Sequence, residues 1–148
     1  MTEKVARPYE VIGNHELVLD IFGRWPTFHD GEIYRLVLDR TRRRSDGSYY
    51  PSIELLVRGW NLTSEVTVAG LYKQENDSLV HILFEEVSDV ELDGLNHQNV
   101  VSGIEVELVP VSAQADVQQL AIVLEHCYGL SGSFKAAKAQ VLSVVPYA

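Results

Sequence analysis

The chain has 148 residues, of which 46% are hydrophobic and 22% charged, and its net charge is −9. Such a chain is long enough for one core and too apolar to be disordered, so we expect a single domain over residues 1–148. The acidic balance argues against nucleic acid as a partner. A membrane-spanning helix is not predicted, because the sequence lacks a run of roughly 18 apolar residues. A lone cysteine and an N-terminus without the apolar run of a signal peptide predict the cytoplasm.

The N-terminal region is predicted to contain one short helix. Residues 1–13 are expected to be an irregular lead-in. Asn14 is a favourable N-cap and Gly23 is a favourable residue just after a helix end, so a helix is predicted over residues 14–23. Its buried stripe is expected to consist of Leu17, Val18 and Ile21.

From residue 32 onward, short alternating apolar and polar segments separated by turns predict β-strands. The segments are 32–41, 51–60, 64–72, 79–87, 101–111, 117–128 and a last one, bent or divided in two, over 133–137 and 140–145. Alternation assigns core positions to Tyr34, Leu36 and Leu38, to Ile53, Leu55 and Val57, and to Leu120, Ile122 and Leu124. Residues 88–99 fit either a short helix or an extended segment. The predicted fold is α+β, mostly β, with a single curved antiparallel sheet or a sandwich of about seven strands over residues 32–146.

The junction between helix and first strand, WPTFHD at residues 25–30, combines two aromatics, a proline and an adjacent histidine and aspartate. An adjacent His-Asp pair occurs in metal-dependent phosphohydrolases, but that chemistry needs further ligands on surrounding helices, which this chain lacks. The other histidines show no metal-ligand spacing. We interpret the junction as a structural corner made of Trp25, Pro26, Phe28, His29 and Asp30. A small metal-dependent or ligand-binding enzyme that uses His29 and Asp30 is the alternative; otherwise no catalytic residue, metal or cofactor is predicted.

Negative charge is concentrated in the second half of the chain. Residues 1–74 hold ten Lys or Arg and ten Asp or Glu, whereas residues 75–148 hold two lysines and eleven Asp or Glu. Between Glu75 and Asp116 there is no Lys or Arg. A surface of this kind would repel nucleic acid and attract a basic protein.

The segment WPTFHDGEI, residues 25–33, resembles the W-P-x-F-H-D-x-E-I/V signature of the bacterial immunity protein 50 family. NHQNVV (residues 96–101) and LEHCYGLSGSF (residues 124–134) resemble later segments of that family, and Gly31 stands where the family often has Ala or Ser. The resemblance covers most of residues 15–146. It implies an immunity protein of a contact-dependent or polymorphic toxin system, which neutralises its toxin by stoichiometric binding and not as an enzyme. The resemblance implies no catalytic residues.

Together, the resemblance and the charge predict a basic, nuclease-type toxin as the partner. The expected contact residues are Glu85, Glu86, Asp89, Glu91, Asp93, Glu105 and Glu107. A tight complex would also need an apolar or aromatic anchor among the charges. A structural role as a homodimer, built through an open sheet edge, is the remaining alternative.

Overall fold

The computed structural model describes residues 7–114 and 116–147. These residues form a turn of 3-10 helix (Pro8–Val11), helix α1 (Glu16–Phe22) and six strands: β1 (Glu32–Arg43), β2 (Tyr49–Val66), β3 (Tyr72–Asp93), β4 (Val100–Pro110), β5 (Gln118–Tyr128) and β6 (Ser131–Pro146). All neighbouring strands are antiparallel, and their order, β1-β2-β3-β6-β5-β4, closes into a barrel. The predicted α+β class with one curved antiparallel sheet is confirmed, with six strands in the described residues instead of about seven. Within the same residues no helix has the length and apolar character needed to cross a membrane.

Helix α1 docks on the barrel by a face that differs in part from the predicted one. Val18 and Phe22, four residues apart, are buried. Leu17 and Ile21 are 43% and 42% exposed, so their assignment to the buried stripe was wrong. Phe22 decides the orientation, because the larger aromatic side chain enters the core and turns Ile21 outward.

The sequence predicted the C-terminal end of α1 correctly but not its N-cap. Gly23 ends the helix in a left-handed conformation with φ of 76°, and its N–H donates to the Leu19 carbonyl. Asn14 is not the N-cap. Its own φ is 59°, and its side-chain amide donates to the Val141 carbonyl on β6 over 3.3 Å. Asn14 therefore anchors the chain to the sheet just before the helix begins.

Strands β2 and β3 form one long hairpin where two turns and a separate strand were predicted. β2 continues through residues 61–63 to Val66, and β3 begins at Tyr72, so the predicted strand at 64–72 does not exist as a separate element. β3 also takes in residues 88–93, which are extended and not helical. β1 pairs with β2 only as far as Arg58, and β6 pairs with β3 only from Ser78. Residues 61–76 therefore project from the barrel as a two-stranded segment, the hairpin arm.

A bulge in β1 alters the predicted core face. The register shifts between Ile33 and Arg35, which leaves Tyr34 as an extra residue. Tyr34 is exposed and its assignment to the core was wrong, whereas Ile33 is buried. Leu36 and Leu38 lie opposite the core residues Leu55 and Ile53. Leu36 is half-buried against the core, whereas Leu38 is exposed at the open end of the barrel, so its assignment to the core was wrong.

The barrel closes through a short seam, which consists of residues 25–32 and the beginning of β4. The one β1–β4 strand pair is Glu32 with Val100. Upstream of it, the main chain runs along β4: the Val101 N–H donates to the Gly31 carbonyl and the Ile104 N–H to the Thr27 carbonyl, each over 2.9 Å. The Ile33 N–H still donates to the Asn99 carbonyl over 2.8 Å, but beyond it β1 has passed the first residue of β4. The barrel is therefore closed at one end of the seam and open at the other.

Candidate functional site

The aromatic and proline side chains of the WPTFHD segment pack at the seam. Pro26 and Phe28 are buried. Trp25 stacks on Tyr9 with a centroid distance of 5.4 Å and meets Phe28 edge-on at 6.5 Å. Phe28 has a φ of 59°, and its ring lies on Gly59, where a Cβ atom would come within 2.9 Å of the ring. The segment thus requires a glycine on β2 beneath it.

His29 and Asp30 lie on the surface of this segment, with side chains 62% and 57% exposed. The His29 Nδ1–H donates to the Ser102 carbonyl on β4 over 2.9 Å, while Nε2 lies 3.5 Å from Asp30 Oδ2. A hollow of about 230 Å³ beside the segment includes His29 but not Asp30. Among the described residues, no three His, Cys, Asp or Glu side chains are grouped so that they could hold a metal ion. Of the two side chains, it is His29 that bonds to the β4 backbone.

The seven predicted acids lie in three separate places. Glu85 and Glu86 lie at a bend of β3 beside β2, Asp93 lies at the end of β3, and the other four surround one outer surface of the barrel. Glu86 has a φ of 53°, which bends the strand. The carboxylates of Glu85 and Glu86 both accept hydrogen bonds from side chains near the β1–β2 turn. Glu86 accepts two bonds from Arg44, at 2.9 and 2.6 Å, and Glu85 accepts a bond of 2.7 Å from Tyr50. The latter bond raises the pKa of the Tyr50 hydroxyl.

The remaining four acids share one surface, because the strand registers bring them into line. Glu91 lies opposite Ser133, Ser133 opposite Val123, and Val123 opposite Glu105. Cross-strand partners point to the same side of a sheet, so these side chains form one row on the outer surface, with about 14 Å between its ends. A second row contains Ser88, Lys135, Ala121 and Glu107. We define the acidic face as Asp89, Glu91, Glu105, Glu107, Ala121, Val123, Ser133 and Lys135.

The acidic face has charged margins and a small, partly apolar centre. Its two acidic margins lie on β3 and β4, and between them Val123 and the small Ala121 and Ser133 leave a depression of about 540 Å³ on the β3 side. Lys135 is the one basic residue of the set, and its Nζ lies 3.3 Å from Asp89. Four carboxylates and one ammonium leave a net charge of −3 on this surface. A polar rim around a less polar centre is the common anatomy of a protein interface.

Ion pairs neutralise many acids on the opposite part of the sheet. Arg35 and Arg42 lie 3.6 and 3.2 Å from Glu54. Arg58 donates two bonds to Asp77, at 2.9 and 2.6 Å, and this carboxylate raises the pKa of the guanidinium above its ordinary range. Within residues 7–114 and 116–147, by contrast, the acids at positions 91, 105 and 107 take part in no ion pair. Three acids without an ion pair among the described residues therefore lie together on the acidic face, although others elsewhere on the surface, such as Asp20 and Asp39, also take part in none.

A second concave surface, which we call the cleft, opens where β1 extends past the first residue of β4, and it lies between β1 and the residues at the end of β3. Its volume is about 710 Å³, and its apolar lining consists of Ile33, Leu36, Leu38, Leu92, Leu95 and Leu130. Leu38 and Leu95 are 60% and 75% exposed. Sequence reasoning missed the cleft, because it depends on how far β1 extends past the strand beside it. The one signal was Leu95, an apolar residue in a segment without clear periodicity.

Comparison with known proteins identifies no relative of this chain. No protein-family model, no curated protein and no solved structure matches it. The resemblance of residues 25–33 to the immunity protein 50 family therefore remains a prediction.

Proposed function

We propose that this chain is a cytoplasmic immunity protein that neutralises a cognate bacterial toxin by binding it stoichiometrically through the acidic face. The observation that carries the proposal is the register that aligns Glu91 with Glu105 across four strands, with small side chains between them. A nuclease-type toxin fits this surface best, because a nuclease needs basic residues to contact phosphates.

Binding would neutralise such a toxin by covering its basic surface. The carboxylates on both margins attract the toxin over a distance of about 10 Å at moderate salt and thereby raise the association rate. The less polar centre around Val123 then makes close contact, and dissociation is slow because water is excluded there. The charges thus raise the association rate and the selectivity, and the less polar centre lengthens the lifetime of the complex.

The predicted contact set contributes unequally in this proposal. Asp89, Glu91, Glu105 and Glu107 form the central contact. Asp93 lies at the margin, on the same strand as Glu91. Glu85 and Glu86 are secondary, because Tyr50 and Arg44 already bind their carboxylates. The chain acts here as a binding protein without metal or cofactor, and His29 and Asp30 belong to the seam and not to a catalytic centre.

The test is complex formation with the protein encoded beside this chain in its native bacterium. The two proteins are expressed together, purified through a tag on one of them, and analysed by sedimentation velocity. We expect a complex of one copy of each, in which the toxin's activity is abolished. Isolation of the chain alone from the native bacterium, and full toxin activity at equimolar mixing, would contradict the proposal.

A further inference from the structure

Strand β1 has an unpaired edge beside the cleft. It pairs with β2 along one edge, whereas on the other edge its one strand pair is Glu32 with Val100. In the part of the chain that the structure describes, residues 34–40 therefore have no strand partner on that second edge. The Thr41 N–H is already bonded to the Asp39 carboxylate over 2.7 Å, which marks the end of the usable edge. Unpaired N–H and C=O groups of this kind are a template for a strand from another chain.

The cleft adds side-chain recognition to this backbone edge. Leu36 and Leu38 are two residues apart on the same face of β1, and Leu92 and Leu95 lie across from them. The side chains of an added strand also alternate, so two of its residues at positions i and i+2 would point into the cleft. The volume of about 710 Å³ lies within the range of sites that bind ligands, roughly 300–1,000 Å³.

Charge at the rim favours a basic occupant. Arg35, on the near side, already pairs with Glu54 at 3.6 Å. Asp93, on the far side, is exposed and has no ion-pair partner among the described residues. Asp93 is also two residues from Glu91, so the rim of the cleft continues into the acidic face. A second copy of this chain, with its own net charge of −9, would be repelled here.

We propose that the cleft binds an extended segment of the toxin, which adds to the free edge of β1 as a further strand. Two apolar side chains of the segment, two residues apart, occupy the cleft, and a Lys or Arg beside them lies near Asp93. The inference rests on the proposed function in assigning the segment to the toxin. It deepens that function, because strand addition fixes the orientation in which the toxin meets the acidic face.

The test is amide hydrogen exchange of the whole chain, free and in complex with the toxin encoded beside it. In the complex, we expect exchange to slow by at least about tenfold for those amides of residues 34–40 that point away from β2, since an added strand bonds them. A complex with unchanged exchange over these residues overturns the strand inference and leaves the proposed function standing. Failure to form any complex overturns both. Slow exchange of these amides in the free chain, with a dimer in sedimentation, assigns the edge to a second copy and also overturns it.

A pair of matched variants tests the cleft itself. Leu38→Ser removes an exposed leucine of the cleft, and Leu62→Ser removes an exposed leucine of the hairpin arm. We expect Leu38→Ser to raise the dissociation rate of the toxin by about tenfold, because a side chain in the cleft loses its contact. Leu62→Ser is expected to change it by less than about twofold. Equal effects of the two variants would overturn the role of the cleft.

Discussion

The seam and the acidic face share strand β4 and use it in opposite ways. At its beginning, Val101 and Ile104 are buried, and their N–H groups bind the chain before β1. A few residues later, Glu105 and Glu107 point outward and have no packing role. Of the residues most conspicuous in the sequence, the aromatics and the proline pack at the seam, and His29 bonds to the β4 backbone there. The proposed contact surface is made of acids that look like ordinary solubilising residues.

This comparison separates two kinds of substitution. Changes in the seam should lower the stability of the whole barrel, whatever the partner. Changes in the acidic face should leave stability unchanged and alter association with the toxin.

The largest effect on stability is expected from Phe28→Ala. Phe28 is buried between Trp25 and Gly59, so its removal leaves a cavity at the seam. Such a loss lowers the free energy of unfolding by about 3–5 kcal/mol, measured by urea denaturation. Phe28→Leu, which fills much of the cavity, keeps the protein measurable if the alanine variant does not fold. Tyr72→Ala, at an exposed aromatic of the hairpin arm, is the control, and an equal loss in both would contradict a special role of the seam.

Asn99→Ala is expected to have a smaller but clear effect. Asn99 is buried just before β4, where its Oδ1 accepts the N–H groups of Asn96 and Leu130, both over 2.9 Å. Its Nδ2 donates to the Asn96 carbonyl. Alanine leaves the buried Leu130 N–H without a partner, which lowers the free energy of unfolding by about 1–3 kcal/mol.

The experiment compares urea midpoints of Asn99→Ala and the wild type, together with exchange of the Leu130 amide. We expect a lower midpoint and faster exchange at Leu130. An unchanged midpoint with unchanged exchange would show that this side chain does not hold the seam to the β5–β6 turn.

The smallest effect on stability is expected in the acidic face. The triple variant Glu91→Gln, Glu105→Gln, Glu107→Gln removes three charges that make no ion pair in the described residues. Its free energy of unfolding should stay within about 0.5 kcal/mol of the wild type, because exposed substitutions rarely matter more. A loss above about 1 kcal/mol would show that these acids support the fold, and the contrast with the seam would fail.

Local signals in the sequence were sufficient for the fold class and for much of the core. Ile53, Leu55 and Val57 are buried as predicted, because alternation with a period of two is a local property of a strand. The predictions were wrong where pairing with a strand distant in sequence determines the conformation. Residues 61–63 look like a turn, yet they continue β2 because β3 pairs with them at Asn61 and Leu62.

The candidate site was predictable in its residue types but not in its arrangement. All four acids of the face were among the seven predicted from the resemblance and the charge together. Their common surface depends on the strand order β3-β6-β5-β4, in which Glu91 and Glu105 are separated by two strands that come later in the chain. The cleft was not predictable, because it depends on the register of β1 and β4, which leaves β1 extending past the first residue of β4.

The most direct test of the account is the association rate constant with the toxin, measured by stopped flow at rising salt. The triple acidic-face variant is compared with Glu10→Gln, Glu16→Gln, Asp20→Asn, which removes the same charge from exposed positions on or beside α1. We predict that the acidic-face variant associates at least about tenfold more slowly at low salt and loses most of its salt dependence, while the control changes by less than about threefold. Equal rate constants for the two variants would contradict the acidic face as the contact surface.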